Sequence, residues 1–178
     1  MPTATQDSRG AIQPFRSLGE AFDFFDRTNS ASSLGTSSSG HTWAVETGAS
    51  LVYGISEQVA YCVSGPQPHS GAVILSDQAD RLLIEVRVRA SAEYNAGLIF
   101  RSDGVHASGN KWTARLTVTS GLGRLTLTRV STGTPTTIAT VDTNLFDEND
   151  LVRLGITLVG SNIKVWVEDQ LLVEVTDA

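Results

Sequence analysis

The sequence predicts an all-β protein, folded as a two-sheet antiparallel sandwich or a barrel, and three observations support this fold class. From Trp43 onward, apolar and polar residues alternate with a period of two, which is typical of strands with one buried and one wet face. Short segments rich in Gly, Ser and Asn separate these strands at hairpin spacing. No segment after residue 30 shows the period of an amphipathic helix. About ten or more short strands with tight turns pack as a sandwich or a barrel.

The first sixteen residues, 1–16, are predicted to form an arm rather than part of the core. They are polar, contain two prolines and show no hydrophobic periodicity. Two interpretations stay open, because the arm either packs on its own domain or grips a partner. The candidate anchoring residues are Gln13, Pro14, Phe15 and Arg16. Residues 17–178 are then one domain, long enough to bury a proper core.

The next segment, 17–25, is compatible with two local structures. Ser17 and Glu20 have the spacing of a helix capping box. Gly19 and the Phe residues weaken a helix, however, and a strand across Phe22 to Phe25 fits at least as well.

Five later segments carry the alternating pattern most clearly, each with its apolar residues on one face. These faces are Leu82, Ile84, Val86 and Val88; Trp112, Ala114, Leu116 and Val118; Val152, Leu154, Ile156 and Leu158; Ile163, Val165 and Val167; and Leu171, Val173 and Val175. Hairpin turns are predicted at 120–123, 131–135, 159–162 and 168–170.

Composition excludes several classes of function. A net charge of −6, with 19 acidic against 13 basic residues, argues against a nucleic-acid partner. No run approaches the ~18 apolar residues of a membrane helix, and no signal peptide is recognisable, so we expect synthesis in a cytoplasm. Cys62 is the single cysteine, which excludes an internal disulfide and a cysteine-based zinc cluster.

The stretch 23–43 carries a family resemblance. It contains the pattern Asp23-x-Phe25-x-Arg27, then Leu34-Gly35, Gly40 and Trp43. This pattern resembles the start of a concanavalin A-like (laminin G-like) jelly-roll domain, a type common in bacteriophage virion proteins and bacterial secreted proteins. Similar stretches follow at 96–103, 123–141 and 151–177. The resemblance covers residues 21 to 177 and implies a two-sheet jelly roll with a first strand, a small-residue loop and a packed Trp43.

The C-terminal end departs from the family pattern. Such domains usually continue past a "VTD" motif with a Gly-rich stretch that returns to pair near the first strand, whereas this sequence ends at Ala178. The resemblance therefore implies an open sheet edge. We expect the N-terminal arm or a neighbouring subunit to cover it.

Catalysis is not expected. Hydrolases on this fold carry clustered acids on one strand, because two carboxylates must flank a glycosidic bond. Glu85 has no acidic residue two or four positions along its strand, and Glu168 and Asp169 lie at a turn with diverging side chains. The histidines all lie in loop-like segments: His41, His69 and His106.

Laminin G-like domains often hold a calcium ion at the rim, through Asp side chains and carbonyl oxygens. The weak candidates here are Asp103 and Asp147, with Asp142 and Asp150 as further acids. Nothing in their spacing makes them converge, so we expect ordinary surface acids and no cofactor.

The candidate contact residue is Trp166. It lies out of phase with its apolar strand neighbours, so its indole is predicted on the wet face, where it stacks on a sugar ring, anchors a protein contact, or is covered by the arm or a loop. Arg101 matches a position where related domains carry Arg, although a pair with an internal carboxylate explains it equally well. The same general surface is predicted to include Tyr94, Asn95, Arg101 and Arg115.

Two classes of function remain. The first is a non-catalytic bacteriophage structural protein, assembled in the host cytoplasm, that decorates the capsid exterior through its arm and open edge. Its partners would be the major capsid protein or another virion protein, and copies of itself. The alternative is a carbohydrate-binding module of a phage tail or surface protein that recognises host glycans.

Overall fold

The computed structural model describes residues 25–38, 40, 42–45, 52–57, 59–64, 72–74, 81–89, 96–103 and 108–177. Among these residues there are twelve strands and no helix, which confirms the all-β prediction. The strands are β1 Trp43–Val45, β2 Val52–Ser56, β3 Val59–Ser64, β4 Ala72–Ile74, β5 Arg81–Arg89, β6 Ala96–Phe100, β7 Lys111–Thr119, β8 Leu122–Ser131, β9 Thr134–Thr143, β10 Leu151–Val159, β11 Asn162–Val167 and β12 Gln170–Thr176.

The chain divides into two compact units. The first contains the paired strands β2 and β3 and the described residues between 25 and 44, and the second contains β5 to β12. The predicted arm 1–16, including Gln13 to Arg16, and its boundary with the following domain lie outside the described residues.

Two four-stranded antiparallel sheets make up the described strands β5 to β12. Sheet I has the order β6-β7-β8-β9, and sheet II has the order β12-β11-β10-β5. The chain therefore leaves sheet II after β5, completes sheet I as consecutive hairpins, and returns to build β10 next to β5. This arrangement confirms the predicted two-sheet antiparallel sandwich.

Four two-residue turns join the hairpins, at the positions predicted from sequence. They are Ser120-Gly121, Thr132-Gly133, Gly160-Ser161 and Glu168-Asp169. All of these residues except Ser161 have positive φ, between 47° and 78°. Such mirror-image turns match the right-handed twist of the strands that they join. In the last of them two acidic residues have positive φ, and the side chains of both have partners on β10, as described below.

The inner faces of both sheets form one core. The fully buried side chains come from β7, β8, β10 and β11: Ala114, Leu116, Leu125, Leu127, Leu154, Ile156, Ile163, Val165 and Val167, all 0% exposed. The predicted apolar faces of β7, β10 and β11 are thereby confirmed. The backbone register of β5 places Ile84 opposite Ile156 and Val86 opposite Leu154, in line with the same face.

The first unit contains the stretch that carries the family resemblance. The rings of Phe25 and Trp43 stack at 5.8 Å, and the Arg27 guanidinium lies 5.3 Å from the Phe25 ring centre. Arg27 Nε donates to the Leu34 carbonyl at 2.9 Å. Phe25 has a φ of 52° and lies in no strand, so the strand expected across Phe22 to Phe25 is wrong at Phe25. A left-handed backbone, rather than an extended one, brings its ring onto the half-buried Trp43.

Candidate functional site

The outer face of sheet II presents the indole of Trp166. On β11 the residues Ile163, Val165 and Val167 point into the core, and Trp166 between them points outward and is half-buried. A β-bulge between Val165 and Trp166 shifts the pairing with β12, so that Leu171 is the register partner of Trp166. Leu171 is 38% exposed, whereas Val173 is buried. The apolar face predicted for β12 is therefore wrong at Leu171, because the bulge turns this residue outward.

Neighbouring strands hold the indole in place. Its register partner on β10 is Gly155, which has no side chain to occupy the outer face. The Trp166 Nε1–H donates to Thr157 Oγ1, two residues along β10, at 3.2 Å. The indole therefore reaches across β10 with its only polar atom satisfied, and a fixed ring costs little conformational entropy when a ligand binds.

Charged and polar side chains lie on the same outer face as the indole. Lys164 Nζ lies 3.3 Å from Glu174 Oε1, and Asn162 Nδ2 donates to the same oxygen at 3.1 Å. The hydrogen bonds from Asn162 and Lys164 lower the pKa of Glu174, so its carboxylate is ionised at neutral pH. We call the set Trp166, Leu171, Asn162, Lys164 and Glu174 the Trp166 platform.

Arg115 does not lie on this surface, contrary to the expectation from sequence. It lies on β7 of sheet I, on the face opposite the buried Ala114 and Leu116. Because the inner faces of the two sheets share one core, Arg115 and Trp166 point outward on opposite sides of it. Strand periodicity distinguishes inward from outward positions but does not show which sheet a strand joins. Tyr94 and Asn95 lie outside the described residues.

Arg101 is engaged within the chain. Its Nη1 donates to Asp177 Oδ2 at 2.9 Å, and its Nη2 donates to the Gly160 carbonyl. The Trp112 Nε1–H donates to the same Asp177 oxygen at 3.2 Å. The structure thus places Arg101 in the internal carboxylate pair that the sequence left open as the alternative to a ligand contact.

The acidic residues considered for calcium make hydrogen bonds or ion pairs with nearby residues of the chain. Asp103 Oδ2 accepts from the backbone N–H of Asn110 at 2.7 Å, and Asp150 Oδ2 accepts from the backbone N–H of Asp147 at 2.8 Å. Asp142 pairs with Arg124. The described part of the chain contains no group of three or more His, Cys, Asp or Glu side chains that could hold a metal ion.

The acidic pair at the β11–β12 turn also has a local role. Glu168 Oε1 accepts from the Arg153 backbone N–H at 2.6 Å, and the Asp169 carboxylate pairs with the Arg153 guanidinium. Each carboxylate therefore holds the turn against β10. The three histidines considered for catalysis lie outside the described residues.

Sequence reasoning identified Trp166 but missed most of its neighbours. Thr157, Leu171 and Glu174 belong to other strands, and only strand pairing brings them to the indole. A usable signal was nevertheless present, since Thr157 and Glu174 occupy outward positions of their alternating strands.

No family model and no curated protein sequence matches this chain. Among solved structures, the chain is similar to the carbohydrate-binding module CBM66 from Bacillus subtilis, with a TM-score of 0.54 and 18% sequence identity over 76% of this chain and 80% of that one. That likeness supports the jelly-roll form of the β-sandwich. No helix among the described residues has the length and apolar character needed to cross a membrane.

Proposed function

We propose that this chain is a non-catalytic carbohydrate-binding domain whose Trp166 platform contacts the sugar. The observation that carries the proposal is a half-buried indole, hydrogen-bonded to Thr157 and bordered by polar side chains, on the outer face of a rigid sheet. A sugar ring has an apolar C–H face and a rim of hydroxyl groups. The indole and Leu171 suit the first, whereas Asn162, Lys164 and Glu174 suit the second.

The structural comparison supports the same class. The similar solved structure is described as a carbohydrate-binding module, and such modules bind sugar without transforming it. A shared fold does not by itself transfer a function, so the argument depends on the platform. The platform residues can stack on a sugar and hydrogen-bond to it. Glycoside hydrolysis requires two carboxylates, whereas Glu174, the acidic residue of the platform, is paired with Lys164.

Binding to a glycan array tests the proposal. The intact protein is expected to bind at least one glycan, and Trp166→Ala is expected to weaken that binding about tenfold or more, because stacking area is lost. Trp166→Phe retains a ring and should retain part of the affinity.

The matched control is Ile138→Ala, since Ile138 is an apolar side chain 40% exposed on β9 of sheet I. It should bind as the wild type does. An array that stays blank for the intact protein contradicts the proposal, as does a folded Trp166→Ala protein with unchanged affinity.

The role in a phage particle stays a prediction from the family resemblance, and it is compatible with glycan binding, since a virion protein that recognises host glycans would do both. Electron microscopy of purified particles would locate the protein. Deletion of residues 1–16 is expected to abolish its incorporation while the sandwich stays folded, and normal incorporation would contradict the anchoring role of the arm.

A further inference from the structure

The outer face of sheet I contains two buried polar atoms that have no partner in the part of the chain that the structure describes. Arg115 Nε and Thr128 Oγ1 are buried side-chain atoms for which the described residues supply no hydrogen bond. Thr128 is the register partner of Thr113, and Thr113 lies two residues from Arg115 on β7, so the two atoms belong to diagonal neighbours on one face. Buried polar groups in native proteins are nearly always paired, so two unpaired atoms on one face call for an explanation, such as an ordered water, a bound ion or a ligand.

The strand neighbours of Arg115 are small or carry hydroxyl groups. Its register partner on β8 is Thr126, and its partner on β6 is the exposed Gly97. A Cβ at Gly97 would lie 2.0 Å from the Ala114 carbonyl oxygen, so only glycine fits there. Gly97 therefore places no side chain beside Arg115, while Thr113 on β7 and Thr126 on β8 carry hydroxyl groups on the same face.

Arg124 is a second arginine on the same outer face, and its guanidinium has a partner within the chain. Its Nε and Nη2 donate to the two oxygens of Asp142 at 2.6 and 3.0 Å, in the two-bond geometry that guanidinium and carboxylate favour. This pairing lowers the pKa of Asp142. No ion pair of the described part of the chain involves Arg115.

We propose that Arg115 is the anchor of a second binding site, which takes an oxyanion carried by a sugar, either a carboxylate or a phosphate ester. A planar guanidinium binds both anions through paired N–H bonds, and it does so more strongly where water is partly excluded. The hydroxyls of Thr113 and Thr126 can donate to further ligand oxygens. The inference rests on the proposed glycan binding, but it concerns the opposite face of the sandwich and selects acidic over neutral sugars.

Nuclear magnetic resonance titration of the whole chain tests the site. The carboxylate probe is trigalacturonic acid, with its fully methylated ester as the neutral counterpart, and the phosphate probe is glucose 6-phosphate, with glucose as its counterpart. The side-chain Nε–H resonance of Arg115, assigned by its loss in Arg115→Lys, reports directly on the unpaired atom. It is expected to shift with at least one acidic probe and not with the neutral counterpart.

Arg115→Ala is expected to weaken binding of that acidic probe at least tenfold, and Arg115→Lys should weaken it less, since an ammonium keeps the charge but loses the paired geometry. Arg124→Ala is the matched control, because its guanidinium is already paired with Asp142, and it should bind as the wild type does. Backbone amide spectra verify that each variant is folded.

A response to the galacturonate alone assigns the site to carboxylated sugars, and a response to the phosphate alone assigns it to phosphorylated sugars. The inference is overturned if both acidic probes bind no better than their neutral counterparts, or if Arg115→Ala binds as the wild type does. Failure of the proposed function has a different signature, namely that Trp166→Ala leaves all sugar binding intact.

Discussion

Sheets I and II contribute equivalent inner faces to one core, yet their outer faces differ. On sheet II the outward polar groups satisfy one another: Trp166 bonds to Thr157, and Asn162 and Lys164 both contact Glu174. On sheet I the pair Arg124–Asp142 is complete, but Arg115 Nε is buried and has no hydrogen-bond partner among the described residues.

This difference separates two ways in which a sheet face can suit a ligand. On a face whose polar groups are hydrogen-bonded to one another, a ligand contacts a fixed surface, here an indole ring with polar side chains on the same face. A face with an unpaired buried donor offers charge, and binding a suitable anion removes a cost that the free protein bears. The physical arguments for the two sites are therefore independent, although both faces rest on the same core.

The largest expected effect tests whether the inner faces are equivalent. Leu125 on sheet I and Leu154 on sheet II are both 0% exposed. Leu125→Ala and Leu154→Ala are each expected to lower the free energy of unfolding by about 2–5 kcal/mol, because each leaves a cavity. Urea denaturation measures both. A loss confined to one variant would show that the sheets do not share a single cooperative core.

The second effect concerns the link between the sheets. Asp177, which follows β12, accepts hydrogen bonds from Arg101 and Trp112 of sheet I. Asp177→Ala is expected to cost about 2 kcal/mol of unfolding free energy, since hydrogen bonds to a charged group are lost and the indole N–H is left unpaired. Asp169→Ala is the control, because Asp169 is 79% exposed in its ion pair with Arg153, and it should cost under about 0.5 kcal/mol. Equal losses would contradict a linking role for Asp177.

A matched pair of threonine substitutions sharpens the contrast between the outer faces. Thr157→Val removes the acceptor for the Trp166 indole and is expected to lower the free energy of unfolding by about 1 kcal/mol. Thr128→Val removes a buried hydroxyl that has no described partner and is expected to raise it by up to about 1 kcal/mol. Thermal denaturation distinguishes the opposite signs, and a loss at Thr128 would show that its hydroxyl is paired.

The smallest effect is a dependence on pH at the Trp166 platform. Bonds from Asn162 and Lys164 lower the pKa of Glu174 below its ordinary value of 4.5. A lowered pKa in the folded state contributes stability above the ordinary value, and this contribution is lost as the pH falls through the folded value. Glu174→Gln should therefore have a slightly lower melting temperature than the wild type at neutral pH, and this difference should close as the pH falls below 4.5 through the lowered pKa of Glu174. A difference in melting temperature between Glu174→Gln and the wild type that is unchanged in acid would contradict a stabilising role of the ionised Glu174.

Much of the fold followed from local pattern. Alternation in β7, β10 and β11 predicted which residues are buried, and the Gly-containing turns predicted where the hairpins reverse. The outward position of Trp166 followed from the same alternation. The prediction failed at Phe25, where a stacking contact with Trp43, eighteen residues along the chain, favours a left-handed backbone over a strand.

The candidate sites were less predictable, because each combines strands distant in sequence. Arg101 and Asp177 are 76 residues apart and meet only through the packing of the two sheets. Glu174 and Thr157 approach Trp166 through the order β12-β11-β10, which the sequence does not state.

The sequence pattern by itself determined that this protein is all-β, as a sandwich or a barrel, and which side chains of its clearest strands face outward, because the period of a strand is a local property. Only the tertiary structure decided which outward side chains share a surface. Sheet order and register are set by long-range packing of the core, and they separate Arg115 from Trp166, satisfy Arg101 internally and leave the Arg115 Nε–H without a described partner.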